Sequence, residues 1–103
     1  MLKVAFDVDG TLIKIDGVSV DGKSIIRIGD KNDTPRYDVI ELYHLFEKFG
    51  NDMYIWSLSG IDYAKKWKRI LGLNGKVVEK GSFKPDIAVD DGDIKFGIIN
   101  LKV

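Results

Sequence analysis

An apolar run, Leu2 to Phe6 broken only by Lys3, stops abruptly at Asp7-Val8-Asp9-Gly10-Thr11. The run has the length of a buried strand, and the acid-glycine sequence behind it is turn chemistry. Similar runs follow at Asp52 to Ser57, Val77-Val78, Ile87 to Val89 and Phe96 to Ile99. Between the first two, Val39, Leu42, Tyr43, Phe46 and Phe49 recur at three- and four-residue spacing, which makes one apolar face of a helix. Thr34 as N-cap and Pro35 as first helical residue open that helix, and Gly50 closes it. A second helix buries Tyr63, Ala64, Trp67, Ile70 and Leu71, opens at Ser59-Gly60-Ile61-Asp62 with capping-box character, and ends near Gly72.

Strand, helix, strand, helix, strand predicts an α/β fold, a Rossmann-like three-layer sandwich on a mainly parallel sheet of about five strands. After the first strand, Leu12 to Ile15 with Val18 and Val20, then Ile25, Ile26 and Ile28, flank an Asp21-Gly22 turn signal. This predicts a β-hairpin flap at about residues 12–30. The 103 residues suffice for one domain spanning 1–103, with no room for a large lid.

In a parallel sheet, ligands sit beyond the carboxyl ends of the strands, where strand order reverses. That rule selects Asp7, Ser57 and Asp90 as neighbours. Taken singly, an Asp-x-Asp pair is turn or cap chemistry, and Asp90-Asp91-Gly92-Asp93 reads as a hairpin turn. Placement at strand ends changes the reading. Asp7, Asp9, Asp90 and Asp91 in one mouth repel one another unless a cation joins them, and Mg²⁺ is the best fit to such hard oxygen ligands. Lys84 supplies positive charge and Ser57 a hydroxyl, a set suited to phosphoryl transfer.

Phe6-Asp7-Val8-Asp9-Gly10-Thr11-Leu12 closely resembles the first motif of the haloacid dehalogenase-like (HAD) phosphatase superfamily. The strand ending at Ser57 resembles the second, Lys84-Pro85 the third, and Ile87-Ala88-Val89-Asp90-Asp91 the fourth. The resemblance spans residues 4–91 and implies a small capless phosphatase working through an aspartyl-phosphate. It makes Asp7 the nucleophile and Asp9 the acid and base. It gives Mg²⁺ to the Asp7 side chain, the Asp9 carbonyl and Asp90, with Asp91 beside them. Ser57 and Lys84 bind phosphoryl oxygens, and Thr11 supports the loop. Lys80 is the alternative to Lys84, Ser59 the alternative to Ser57, and Asp93 the alternative to Asp91.

Without a cap, the implied substrate is a protruding phosphomonoester, for which a nucleic-acid end, a phosphoprotein and a sugar-phosphate conjugate are all open. Lysine plus arginine (16) balance aspartate plus glutamate (16), which argues against a strongly basic nucleic-acid scaffold. The cluster Lys65, Lys66, Lys68 and Arg69 suits a helix C-terminus without any partner. Having no cysteine, the chain forms no disulfide, zinc-thiolate site or thiol nucleophile. The longest apolar run, Met53 to Trp56, is too short to span a membrane, and the first residues lack a signal peptide's apolar stretch. A cytoplasmic protein with no membrane partner is expected. His44, the one histidine, lies mid-helix and receives no catalytic role. Two rival readings remain: a HAD-like binding or regulatory module without catalysis, and a receiver-like phosphoacceptor, disfavoured because Asp-x-Asp comes first and Asp-Asp late.

Overall fold

The computed structural model describes residues 1–14 and 34–103, and between them the backbone of two paired strands alone. The elements in chain order are β1 (Lys3–Asp7), β2 (Ile13–Lys14), β3 (Gly17–Val20), β4 (Ser24–Arg27), β5 (Thr34–Pro35) and α1 (Tyr37–Lys48). There follow β6 (Asp52–Trp56), α2 (Ile61–Leu71), β7 (Lys76–Val77), β8 (Ile87–Asp90) and β9 (Ile99–Lys102). Five strands form one sheet in the order β7-β6-β1-β8-β9, every pair parallel. The chain builds outward from β1 to β7, then returns to the other side of β1. The reversal of strand order therefore falls between β1 and β8, where an open α/β sheet places its ligands.

Side chains alternate across the sheet with period two. The register Val4↔Met53 and Val4↔Ile87 puts Val4, Phe6, Met53, Ile55, Ile87 and Val89 on one face. These pack with Val39 and Tyr43 of α1 and Ala64 and Trp67 of α2 in one buried cluster. Both helices lie on that face because both crossovers step the same way from β1 and right-handed connections then share a side. The opposite face, carrying Tyr54 and Trp56, is covered by loops instead of helices. Phe83 stacks against Tyr54 and Trp56 at 4.8 and 5.6 Å, and Phe96 meets Trp56 edge-on at 5.7 Å. Aromatic side chains give enough apolar area to close a layer that lacks a helix.

The hairpin is present as β3 paired antiparallel with β4. Its expected turn at Asp21-Gly22 lies outside the described residues. Thr34-Pro35 does not start the helix. Both residues pair with β2, and the Arg36 N–H donates to the Leu12 carbonyl at 2.9 Å. Proline biases the residue before it toward extended backbone, which favours this short strand. The N-cap is Arg36, without a side-chain cap, and Phe49 falls past the helix end, 74% exposed. Gly50 closes α1 as expected, at φ +82°. Ser59 does not cap α2 either. Gly60 is the N-cap and no side chain caps it. Ile70, expected on the buried face, is exposed.

The last strand lies three residues later than Phe96 to Ile99. The Asn100 side chain accepts from the Gly97 N–H at 2.9 Å and donates to its carbonyl at 2.8 Å, curling the segment before β9. Phe96 is thereby directed at Trp56. A four-residue strand needs a return of only about 13 Å, so residues 91–98 join two parallel neighbours without a helix.

Candidate functional site

Asp7 and Asp90 are the last residues of β1 and β8. Because Phe6 pairs with Val89, the two acids leave the sheet side by side on the face that carries Trp56. Both are buried, with 4% and 9% exposure. After Asp7 the chain turns tightly: Thr11 N–H donates to the Val8 carbonyl at 3.2 Å and Ile13 N–H to the same carbonyl at 3.1 Å. Gly10 holds φ +78° in that turn, and a Cβ there would overlap the Asp91 carboxylate. The buried Thr11 hydroxyl lies 3.3 Å from Asp7 Oδ2 and 3.5 Å from Asp91 Oδ1.

One cation sits among these acids. Lys80 Nζ is 3.0 Å from Asp7 Oδ1 and 2.7 Å from Asp90 Oδ2, with its side chain 6% exposed. It also lies 4.7 Å from the centre of the Phe96 ring, a cation–π contact on its far side. A cavity of about 250 Å³ opens here, lined by Asp7, Asp9, Ser57, Lys80, Asp90 and Asp91 among others. Four carboxylates against one ammonium leave the mouth strongly acidic.

The titration of the site follows from this imbalance. Burial, reinforced by Asp90, pushes the Asp7 carboxyl up to about 7, although Lys80 pulls the other way. Burial and the neighbouring Asp90 also raise Asp91. For Lys80, burial works against the ammonium, yet its contacts with Asp90 and Asp7 outweigh that and hold it above the ordinary lysine range. Two acids sharing one cation cannot both be fully compensated.

Asp7, Asp90 and Asp91 each offer an oxygen within 4.8 Å of the others. Asp90 Oδ1 accepts the Gly92 N–H at 2.9 Å, while the buried Oδ2 lies 2.7 Å from Lys80 Nζ. An all-carboxylate donor set at one cavity fits a hard divalent cation such as Mg²⁺.

Asp9 stands apart from this group. Its carboxylate accepts the Tyr63 hydroxyl at 2.6 Å and the Ser59 hydroxyl at 3.1 Å. Ser57 is buried at the end of β6, and its Oγ accepts the Ser59 N–H at 3.0 Å. Ser59 thus faces Asp9 instead of capping α2.

Comparison with family models, with curated proteins and with solved structures gave no match.

Of the expected site residues, the structure gathers Asp7, Asp9, Ser57, Asp90 and Asp91 around one cavity, with Thr11 bonded beneath it. Lys84 is exposed and does not line the cavity; Lys80 does. The path of the chain explains the exchange. From the carboxyl end of β7 the chain must reach the amino end of β8, so residue 80 is still near the strand exits while residue 84 has passed to the opposite edge. There Asp86 accepts the Lys3 N–H at 2.8 Å. Asp93 is exposed and paired with Lys102 at 2.6 Å, outside the acidic group. Tyr63 was expected only as a core residue of α2. Its place in the first turn of a helix that starts at the strand exits is the signal that could have put it near Asp9. Among the described residues, no helix is long and apolar enough to cross a membrane.

Proposed function

We propose that this chain is a Mg²⁺-dependent phosphatase of the HAD-like type, hydrolysing phosphomonoesters through an aspartyl-phosphate on Asp7. The observation that carries the reading is the Asp7 carboxylate at the exit of the central strand, bonded to Lys80 and Thr11 and flanked by Asp90 and Asp91. Asp9, two residues on, is held separately by Tyr63 and Ser59. Two carboxylates in different surroundings are what a nucleophile and a proton carrier require.

In this reading Asp7 attacks phosphorus, and the bond from phosphorus to the leaving oxygen breaks as Asp9 gives that oxygen a proton. Water then attacks the acyl phosphate, Asp9 takes its proton, and inorganic phosphate leaves with Asp7 restored as a carboxylate. Lys80 and the Ser57 hydroxyl, both on the cavity wall, neutralise and orient the phosphoryl oxygens. Asp7, Asp90, Asp91 and the Asp9 carbonyl would hold Mg²⁺, whose positive charge would let a dianionic phosphate approach these acids. A cavity of about 250 Å³ has room for a phosphoryl group and little of a large leaving group, which favours a substrate that protrudes.

The test is phosphate release from a panel of phosphomonoesters, with Mg²⁺ and with EDTA, for wild type and Asp7→Asn. Metal-dependent release that disappears in the variant is the expected result, together with trapping of beryllofluoride on Asp7. Release by Asp7→Asn at the wild-type rate removes Asp7 as nucleophile. No release from any ester, with Mg²⁺ still bound, turns the reading toward a binding module.

A further inference from the structure

A second depression runs along the β7 edge of the sheet, between that strand and the outer side of α2. Its volume is about 750 Å³. One wall carries Lys65, Lys68 and Arg69 of α2, and the other carries Lys76 of β7. The floor includes Leu73, Val77 and Val78. Among the described residues no acid lines it, and none of its four cations is in an ion pair.

The helix dipole accounts for Lys68 and Arg69 in the last turn of α2, but not for Lys76 on the facing strand. Lys65 with Lys68 and Lys65 with Arg69 are like charges at i,i+3 and i,i+4, each pair destabilising the helix by about 0.2–0.5 kcal/mol. A fourth cation comes from a different element and completes the opposite wall. All this belongs to a chain whose formal charge is zero. Four of its sixteen lysines and arginines line this groove, and none of the acids among the described residues does.

We propose that this groove binds the phosphodiester backbone of single-stranded nucleic acid. A phosphate chain matches a row of lysines and an arginine irrespective of sequence, and the arginine fork fits a phosphate with two parallel bonds. The apolar floor suits base or sugar faces. An acidic peptide is the poorer occupant, because a peptide added to a sheet edge draws its affinity from main-chain pairing. β7 offers only two residues for that. Val78 of the groove and Lys80 of the acidic mouth lie two residues apart on the segment that leaves β7. A strand lying in the groove thus brings its end toward Asp7. That last step, a terminal phosphate as substrate, rests on the phosphatase reading; the binding itself does not.

Binding is read in EDTA by fluorescence anisotropy of a labelled oligodeoxythymidine without terminal phosphates, across a salt series. Four phosphate contacts on a single strand give a slope of log affinity against log salt of about −3. In the double variant Lys65→Ala/Arg69→Ala the slope falls to about −1.5 and affinity at low salt drops at least tenfold. Both positions are exposed and helical, so alanine leaves the fold intact. The double variant keeps wild-type phosphate release from a small monoester, which separates failure of the groove from failure of the catalytic reading. Absent binding at low salt, an unchanged slope in the double variant, or equal affinity for polyglutamate each overturns the proposal, the last in favour of an acidic polypeptide.

Discussion

The hydroxyl of Tyr63 donates to the carboxylate of Asp9 at 2.6 Å, joining the first turn of α2 to the loop behind the central strand. Asp9 is thereby aimed by a residue from a different element, while Asp7 is aimed by its own strand. Removing the bond with Tyr63→Phe keeps the ring and leaves the acid held by the Ser59 hydroxyl alone of these two donors. Turnover of alkyl phosphates, whose leaving oxygen needs a proton, is expected to fall about tenfold, the worth of a hydrogen bond to a charged group. Aryl phosphates with good leaving groups lose little. Equal losses on both classes mean that Tyr63 does not position a proton carrier.

The raised Asp7 carboxyl sets a pH dependence. Folding lifts it from 3.8 to about 7, so between those values the folded protein holds a proton that the unfolded chain has lost. Stability therefore falls as pH rises from about 4 to 7 and levels off above, the sign opposite to that of a salt-bridged aspartate. Asp91 shifts in the same direction and adds to the effect. In EDTA, urea midpoints of the wild type should decline across this window. Asp7→Asn should flatten much of the decline and stabilise the protein at pH 8 by on the order of 3 kcal/mol. A wild-type midpoint that rises through the window contradicts the burial of an uncompensated acid.

Lys80 and Lys84 separate cleanly by mutation. Lys80→Ala strips the buried cation from Asp7 and Asp90, so both turnover and stability in EDTA are expected to fall, stability by about 3 kcal/mol. Added Mg²⁺ restores part of the stability because it replaces the missing charge. Lys84→Ala, at an exposed position away from the cavity, changes stability by less than about 0.5 kcal/mol. Thermal melts with and without Mg²⁺, beside phosphate release, decide the matter. The reverse ranking returns the role to Lys84.

Gly10 combines a left-handed backbone at φ +78° with a close approach to Asp91. Gly10→Ala meets both obstacles, costing roughly 1–3 kcal/mol in backbone strain and displacing the Asp91 carboxylate. The sharper consequence is for the metal. The stabilisation that Mg²⁺ confers on melting should shrink in this variant, because one of the three carboxylate donors has moved. An unaltered Mg²⁺ response excludes Asp91 from the metal group.

Where local chemistry controlled the outcome, the sequence was readable. β1, β6, β7 and β8 fall within a residue of the apolar runs that announce them, and in central β1 and β8 burial on both faces keeps most positions apolar. Gly50 and Gly72 end their helices because their positive φ suits glycine. Asp7, Asp9, Asp90 and Asp91 were visible as acids at strand ends, and the parallel order alone brought them together.

Other features were decided only in three dimensions. Ser59 and Tyr63 carry ordinary cap and core signals, and nothing local tells either one that Asp9 stands opposite. Thr34-Pro35 has the residues of a helix start but pairs with β2, whose partnership is tertiary. Lys80 displaced Lys84 because proximity along the chain to Asp90 misleads: a whole strand separates the start of β8 from its acid. Periodicity and turn chemistry act over a few residues, so the sequence by itself determined the elements and the acids at their ends. Which side chain meets those acids depends on the route of the chain between strands, a long-range property that only the assembled sheet decided.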